Sequence, residues 1–158
     1  MRHSIKLNCD LGEGFGRWEM GNDEAIMPHI SMANIACGFH ASDPLIMSKT
    51  VLLAKQNKVT IGAHPGYPDL AGFGRRSIAM EPNELKACIV YQIGALQAIC
   101  HSHKTKVEYV KPHGALYNDM MQDIQIFDTI CEAVSSINDN LSLMIQSLPE
   151  MTSFRTIA

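Results

Sequence analysis

The sequence predicts an α/β fold, an incomplete (β/α) barrel-like sheet of about five parallel strands. Three observations point to it. Short apolar runs alternate with longer helical segments along the chain, the order that builds a mainly parallel sheet. Polar segments containing Gly or Pro stand next to four of those runs, and loops at the strand C-termini of such folds converge on one pocket. The 158 residues are 46% hydrophobic and 18% charged, the composition of one ordinary globular domain.

The expected strands are Ser4–Cys9, Ala33–Cys37, Val59–Ala63, Val107–Val110 and Leu141–Ile145, each a short apolar run of strand length. Between them lie the helices. The clearest starts at Asp43-Pro44, an N-cap residue followed by Pro at the first helical position. It runs to about Asn57, with Leu45 and Leu52 sharing one face and Ile46 and Leu53 another. A second helix spans Pro82 to His103, where Leu85, Ile89, Ile93, Leu96 and Ile99 form one buried stripe. Asp23–His29 and Ile124–Ile137 are weaker helices. No internal repeat, low-complexity tract or interdomain linker interrupts the pattern.

Composition also narrows function. The net charge is −3 and no basic block occurs, which argues against nucleic acid as a partner. The N-terminal region lacks an apolar stretch suited to a signal peptide or membrane span, so a cytoplasmic location is expected. Five scattered cysteines without a CxxC pair argue against a disulfide framework or thiolate zinc site. Reduced thiols in or near the core are expected instead.

The informative residues cluster at Asn8–Gly14, Cys37–Asp43, Gly62–Asp69 and Lys111–Asn118, each read as following a strand. Together they would deliver Asp10, Glu13, His40, His64, Lys111 and His113 to one cavity. The long Gly/Pro-rich stretch from His64 to Arg76 has the length of a binding loop or lid. His3, His29, His101 and His103 lie at termini or helix ends, where a solvated or capping role is expected. Asp43 reads first as a helix cap. The ten methionines read as core filler.

Four longer stretches carry a resemblance: NCDLGEGFGRWEMGND, SMANIACGFHASDP, IGAHPGYPDLAGFGRR and VKPHGALYN. In order and spacing, from about Ile5 to about Leu143, they closely resemble the LamB/YcsF family. The resemblance implies a barrel related to deacetylase-type (β/α)7 folds. It also implies the A component of an ATP-dependent 5-oxoprolinase, which opens 5-oxo-L-proline to L-glutamate with partner subunits B and C. ATP would be bound by the partners, which activate the lactam by phosphorylation. The family's polar positions fall on Asp10, Glu13, Asn34, His40, Asp43, His64, Lys111, His113, Tyr117 and Asn118.

On this reading Asp10 or Glu13 is the base for water. His40, His64 and His113 polarise the substrate or hold a divalent metal, with Asp10, His40 and His64 as the candidate ligands. Lys111 meets phosphate or the substrate carboxylate. Asn34, Asp43, Tyr117, Asn118 and Arg75 are substrate-binding candidates. The chain ends at Ala158, short of the family's usual length, and the likeness is expected to fade after Leu143. Residues 1–158 are therefore expected to form one family domain lacking its C-terminal part, with an open sheet edge that self-association would cover. Two other functions compete: a metal-dependent carbohydrate or amide deacetylase, and a non-catalytic remnant that only associates with itself or with partners.

Overall fold

A computed structural model describes residues 5–138 and 140–157. His3, expected to be solvated, and Ser4, expected to open the first strand, lie outside them. The strands are β1 (Asn8–Leu11), β2 (Met32–Ala36), β3 (Thr60–His64), β4 (Tyr109–Val110) and β5 (Ser142–Leu143). They form one sheet in the order β1-β2-β3-β4-β5, every pair parallel. That order never reverses, as in a barrel wall, whereas a doubly wound sheet turns back at a switch point. The predicted fold class is observed.

The helices are α1 (Asp23–Ile26), followed by a 3-10 turn at Met27–His29, then α2 (Pro44–Gln56), α3 (Pro82–Ser102), α4 (Gly114–Met120), α5 (Ile124–Ile137) and α6 (Thr152–Ile157). β2 and β3 each bury four consecutive residues, as parallel strands covered on both faces do. α2 begins where predicted: the Asp43 carboxylate accepts the Leu45 and Ile46 amides at 2.8 and 3.0 Å. α3 buries Leu85, Ile89, Ile93 and Leu96, and packs along α5 through Phe127, Ile130, Ala133 and Val134. Cys37 and Cys100 lie in the core, Cys9 and Cys131 pack at its margin, and Cys88 is half-buried. Among the described residues, no helix is long and apolar enough to cross a membrane.

Several expectations need correction. β1 starts at Asn8 rather than near Ser4, because Ile5 and Leu7 are exposed and the strand is registered by polar partners, Asp10 opposite Asn34. The Asn8–Gly14 motif is therefore partly the strand itself. Lys111–Asn118 is not all loop: α4 begins at Gly114, with Ala115, Leu116 and Met120 buried at helical spacing. The Leu45/Leu52 face of α2 points outward, at 63% and 40% exposure, because Met47, Thr50, Val51 and Ala54 meet the core instead. α6 had no counterpart among the expected helices; it is held by Phe154, whose ring meets Phe127 edge-on at 4.9 Å.

Gly62 in β3 fixes one close approach. A Cβ there would run into the ring of Tyr109 on the neighbouring strand. Gly62→Ala is expected to lower stability by about 1–3 kcal/mol, the usual cost of overpacking, in a denaturant melt. Unchanged stability would show that the Tyr109 ring has room to move.

Candidate functional site

The strand C-termini carry a single polar cluster. β1 delivers Asp10 and, just beyond it, Glu13; β2 leads to His40; β3 ends on His64; β4 leads to Lys111 and His113. His40, His64 and His113 are almost fully buried, at 0%, 1% and 4% exposure. Lys111 Nζ lies 2.7 Å from Asp10 Oδ1, and His64 Nε2 lies 3.4 Å from Asp10 Oδ2. His40 Nε2 lies 3.1 Å from Glu13 Oε1, and His113 Nδ1 lies 3.4 Å from the same oxygen. His64 Nε2 and His113 Nδ1 face each other at 3.0 Å. The rings of His40 and His113 are stacked, centroids 3.6 Å apart and 4° from parallel.

The buttress behind Asp10 is also polar. Asn34 Nδ2 donates to Asp10 Oδ1 at 2.7 Å and to Asn8 Oδ1 at 2.8 Å, while the Tyr109 hydroxyl donates to Asn34 Oδ1 at 2.6 Å. Burial alone would push the Asp10 carboxyl up. The hydrogen bonds donated by Lys111 and Asn34 help outweigh it, and Asp10 is held well below the usual carboxylate range. Asp10 is therefore a carboxylate at neutral pH. Burial pushes His40 down, against the hydrogen bond to Glu13. Burial also lowers His113, helped by the nearby His40.

The loop from Pro65 to Glu81 closes over the cluster. Phe73 and Gly74 both take left-handed backbone angles, φ 56° and 62°. This aims the Phe73 carbonyl at His113 Nε2, 2.8 Å away. A side chain at Gly74 would strike His40 and His113, so only glycine fits both the angle and the space. Asp69 clasps the loop: it accepts from the Gly72 amide and the Arg76 guanidinium.

Asp10, His64, Arg75, Lys111, His113, Tyr117 and Asn118 line one cleft of about 430 Å³. Glu13 and His40 line a smaller hollow beside it, with Phe73 and Trp18. The six expected catalytic residues are thus brought together, and Arg75, Tyr117 and Asn118 join them. Two residues expected to touch substrate face elsewhere. Asn34 is fully buried with every polar side-chain atom engaged beneath Asp10. Asp43 spends its carboxylate on the α2 amides and the Gly16 amide. Of the four histidines set aside, His29 and His101 are exposed and His103 caps α3, bonded to Ser48 at 2.8 Å.

Sequence reading missed Tyr109, the Phe73 carbonyl, the Asp69–Arg76 clasp, and Gln92, which clamps both the amide and the carbonyl of Gly66. Tyr109 sits inside an apolar run and Gln92 inside a helix, so neither carried a local signal.

The model of the LamB/YcsF family matches residues 5–156. The chain belongs to the LamB/YcsF family. The expected fading of the likeness after Leu143 is overturned, because the match continues to Thr156, within α6. The protein named as the A component of 5-oxoprolinase in Vibrio vulnificus strain YJ016 is 59% identical over 146 residues, covering 92% of this chain and 59% of that protein. Its namesake from Chromohalobacter salexigens is 52% identical over 152 residues, 96% of this chain and 61% of its own length. A crystal structure of a lactam utilization protein from Thermus thermophilus superposes with a TM-score of 0.92 at 41% identity, covering 98% of this chain and 62% of that one. This LamB/YcsF chain therefore spans about three-fifths of the length of the relatives it matches.

The clasp gives a testable consequence. The Arg76 hydrogen bond holds the Asp69 carboxyl below its usual range. Its contribution is full above the unfolded carboxylate value of about 3.9 and fades as pH falls through the lower folded value. At neutral pH, Asp69→Asn is expected to speed limited proteolysis within residues 70–75 while far-UV dichroism stays unchanged. Equal cleavage rates in the two proteins would show that the loop is held by other contacts.

Proposed function

We propose that this chain performs the ring-opening step of an ATP-dependent 5-oxoprolinase, converting 5-oxo-L-proline to L-glutamate together with partner subunits B and C. What carries the reading is the charge pattern of the cleft: an ionised carboxylate, Asp10, set against the cations Lys111 and Arg75. The relatives' names point the same way, to 5-oxoprolinase and to lactam use.

A five-membered lactam resists water because amide resonance and the ring both oppose attack. Phosphorylation of its carbonyl oxygen, assigned here to the partners that bind ATP, removes the amide resonance and makes the ring carbon electrophilic. Attack then needs only a weak base. Asp10, charged at neutral pH, orients a water and takes its proton as the carbon–oxygen bond forms. The ring C–N bond then breaks, the nitrogen receiving that proton, and a second water releases phosphate from the resulting acyl phosphate to leave glutamate. Lys111 and Arg75 meet the substrate carboxylate and the phosphate, and Lys111 offsets the negative charge that grows during attack. Tyr117 and Asn118 border the same cleft and fix the ring's orientation by hydrogen bonds.

A second reading, a deacetylase working without ATP, is favoured by the histidine–glutamate cluster alone. Glutamate formation that requires both ATP and the partners separates the two. In the reconstituted complex, Asp10→Asn and Lys111→Met are expected to lower lactam-dependent glutamate formation at least about 100-fold while the melting transition remains cooperative. An Asp10→Asn variant with full glutamate yield would remove Asp10 from the reaction.

A further inference from the structure

Hydrogen-bond accounting in the buried cluster leaves a positive charge to be supplied. His64 Nδ1 lies 2.5 Å from the Lys111 carbonyl and His113 Nε2 lies 2.8 Å from the Phe73 carbonyl. A carbonyl only accepts, so both of these nitrogens carry hydrogen. In neutral imidazoles the other nitrogens are then bare lone pairs. Those lone pairs, His64 Nε2 and His113 Nδ1, face each other at 3.0 Å. Carboxylate oxygens close the ring around them: Glu13 Oε1 is 3.4 Å from His113 Nδ1 and Asp10 Oδ2 is 3.4 Å from His64 Nε2. Four electron-rich atoms converge with no donor hydrogen among them.

We propose that Glu13, His64 and His113 bind one divalent transition-metal ion of the zinc class, with an open coordination position toward the cleft lined by Asp10 and Lys111. Three geometric features support it. Ligand atoms at metal bond lengths of about 2.0–2.1 Å stand about 3.3 Å apart in a tetrahedron, and the spacings here are 3.0 and 3.4 Å. The one ligand atom offered by each of Glu13, His40, His64 and His113 lies within 4.8 Å of the others. Each of the two histidines hands its far N–H to a backbone carbonyl, the outer partner that fixes ring and tautomer in metal-binding histidines.

The same geometry excludes His40 from the ligand set. An imidazole holds an ion in its ring plane, and the His40 and His113 planes are parallel with centroids 3.6 Å apart, so one ion cannot lie in both. The His64 and His113 rings meet at 88° and can share it. His40 instead serves Glu13: its Nε2 is 3.1 Å from Glu13 Oε1, and its buried Nδ1 has no partner among the described residues. A donor at Nε2 and a bare Nδ1 match that role. The expected set of Asp10, His40 and His64 is thus replaced by one centred on His113 and Glu13, two histidines and a glutamate with an open place, as catalytic zinc sites use.

The test needs no lactam, ATP or partner, so its failure leaves the ring-opening reading standing, and failure of that reading leaves the ion site standing. The chain, prepared without a polyhistidine tag and stripped by chelator, is titrated with Co²⁺ and then Zn²⁺ by calorimetry and visible absorption. One equivalent of Co²⁺ is expected, with the intense visible bands of a low-coordinate cobalt centre, displaced by one equivalent of Zn²⁺. His113→Gln and Glu13→Gln are expected to weaken binding more than about 100-fold, since even outer-partner changes cost about 10–100-fold. His40→Gln and the exposed His101→Gln keep one equivalent. A wild-type chain that takes up no ion overturns the proposal without any variant, since a proton then supplies the charge. Uptake lost in His101→Gln, or in a folded His40→Gln, overturns the ligand set.

Discussion

The site depends on the grip on the Asp10 carboxylate. Lys111 comes from beyond β4, Asn34 from β2 and His64 from the end of β3, and all three meet the one aspartate of β1. A carboxylate half withdrawn from water is costly unless it is paired and hydrogen-bonded. Four strands have to stand in the right register for that to happen. Register thus determines the chemistry: a slip of one residue in β2 would turn Asn34 to the other face.

Behind that grip lies a column of packed polar groups. Gly62 leaves room for the Tyr109 ring, Tyr109 holds Asn34, and Asn34 holds Asp10. Its members Tyr109 and Asn34 are buried and fully satisfied, the condition under which polar groups specify a structure rather than weaken it. Above it, the 65–81 loop supplies a backbone carbonyl to His113 and a glycine where His40 and His113 need space. Floor and cover are built from different parts of the chain, yet both serve to orient imidazoles.

Much of this was legible in the sequence. Alternation of apolar and helical segments predicted the parallel sheet, and Asp43-Pro44 predicted the start of α2 to the residue. Polar residues at strand ends predicted the convergence of Asp10, Glu13, His40, His64, Lys111 and His113. What was hidden depends on distance in space. Asn34 has the residue type of a substrate ligand, but its partners Asn8, Asp10 and Tyr109 lie in other strands that no local pattern reveals. The capping role of Asp43 was legible, and only its bond to the Gly16 amide was hidden. Tyr109 reads as a plain strand aromatic until Gly62 is seen opposite it. α4 and α6 are one or two turns long and carry too few periods to stand out. The stacking that separates His40 from His113 is a three-dimensional fact without a sequence signature.

On the proposed function, a single cavity at the strand ends takes a small anionic lactam through residues from four segments. Side-chain NMR of histidine-labelled chain titrated with 5-oxo-L-proline tests it most directly. Imidazole signals of His64 and His113 should shift together with one saturation curve while those of His29 and His101 stay fixed. Shifts confined to the exposed histidines, or no saturable shift at all, would contradict it.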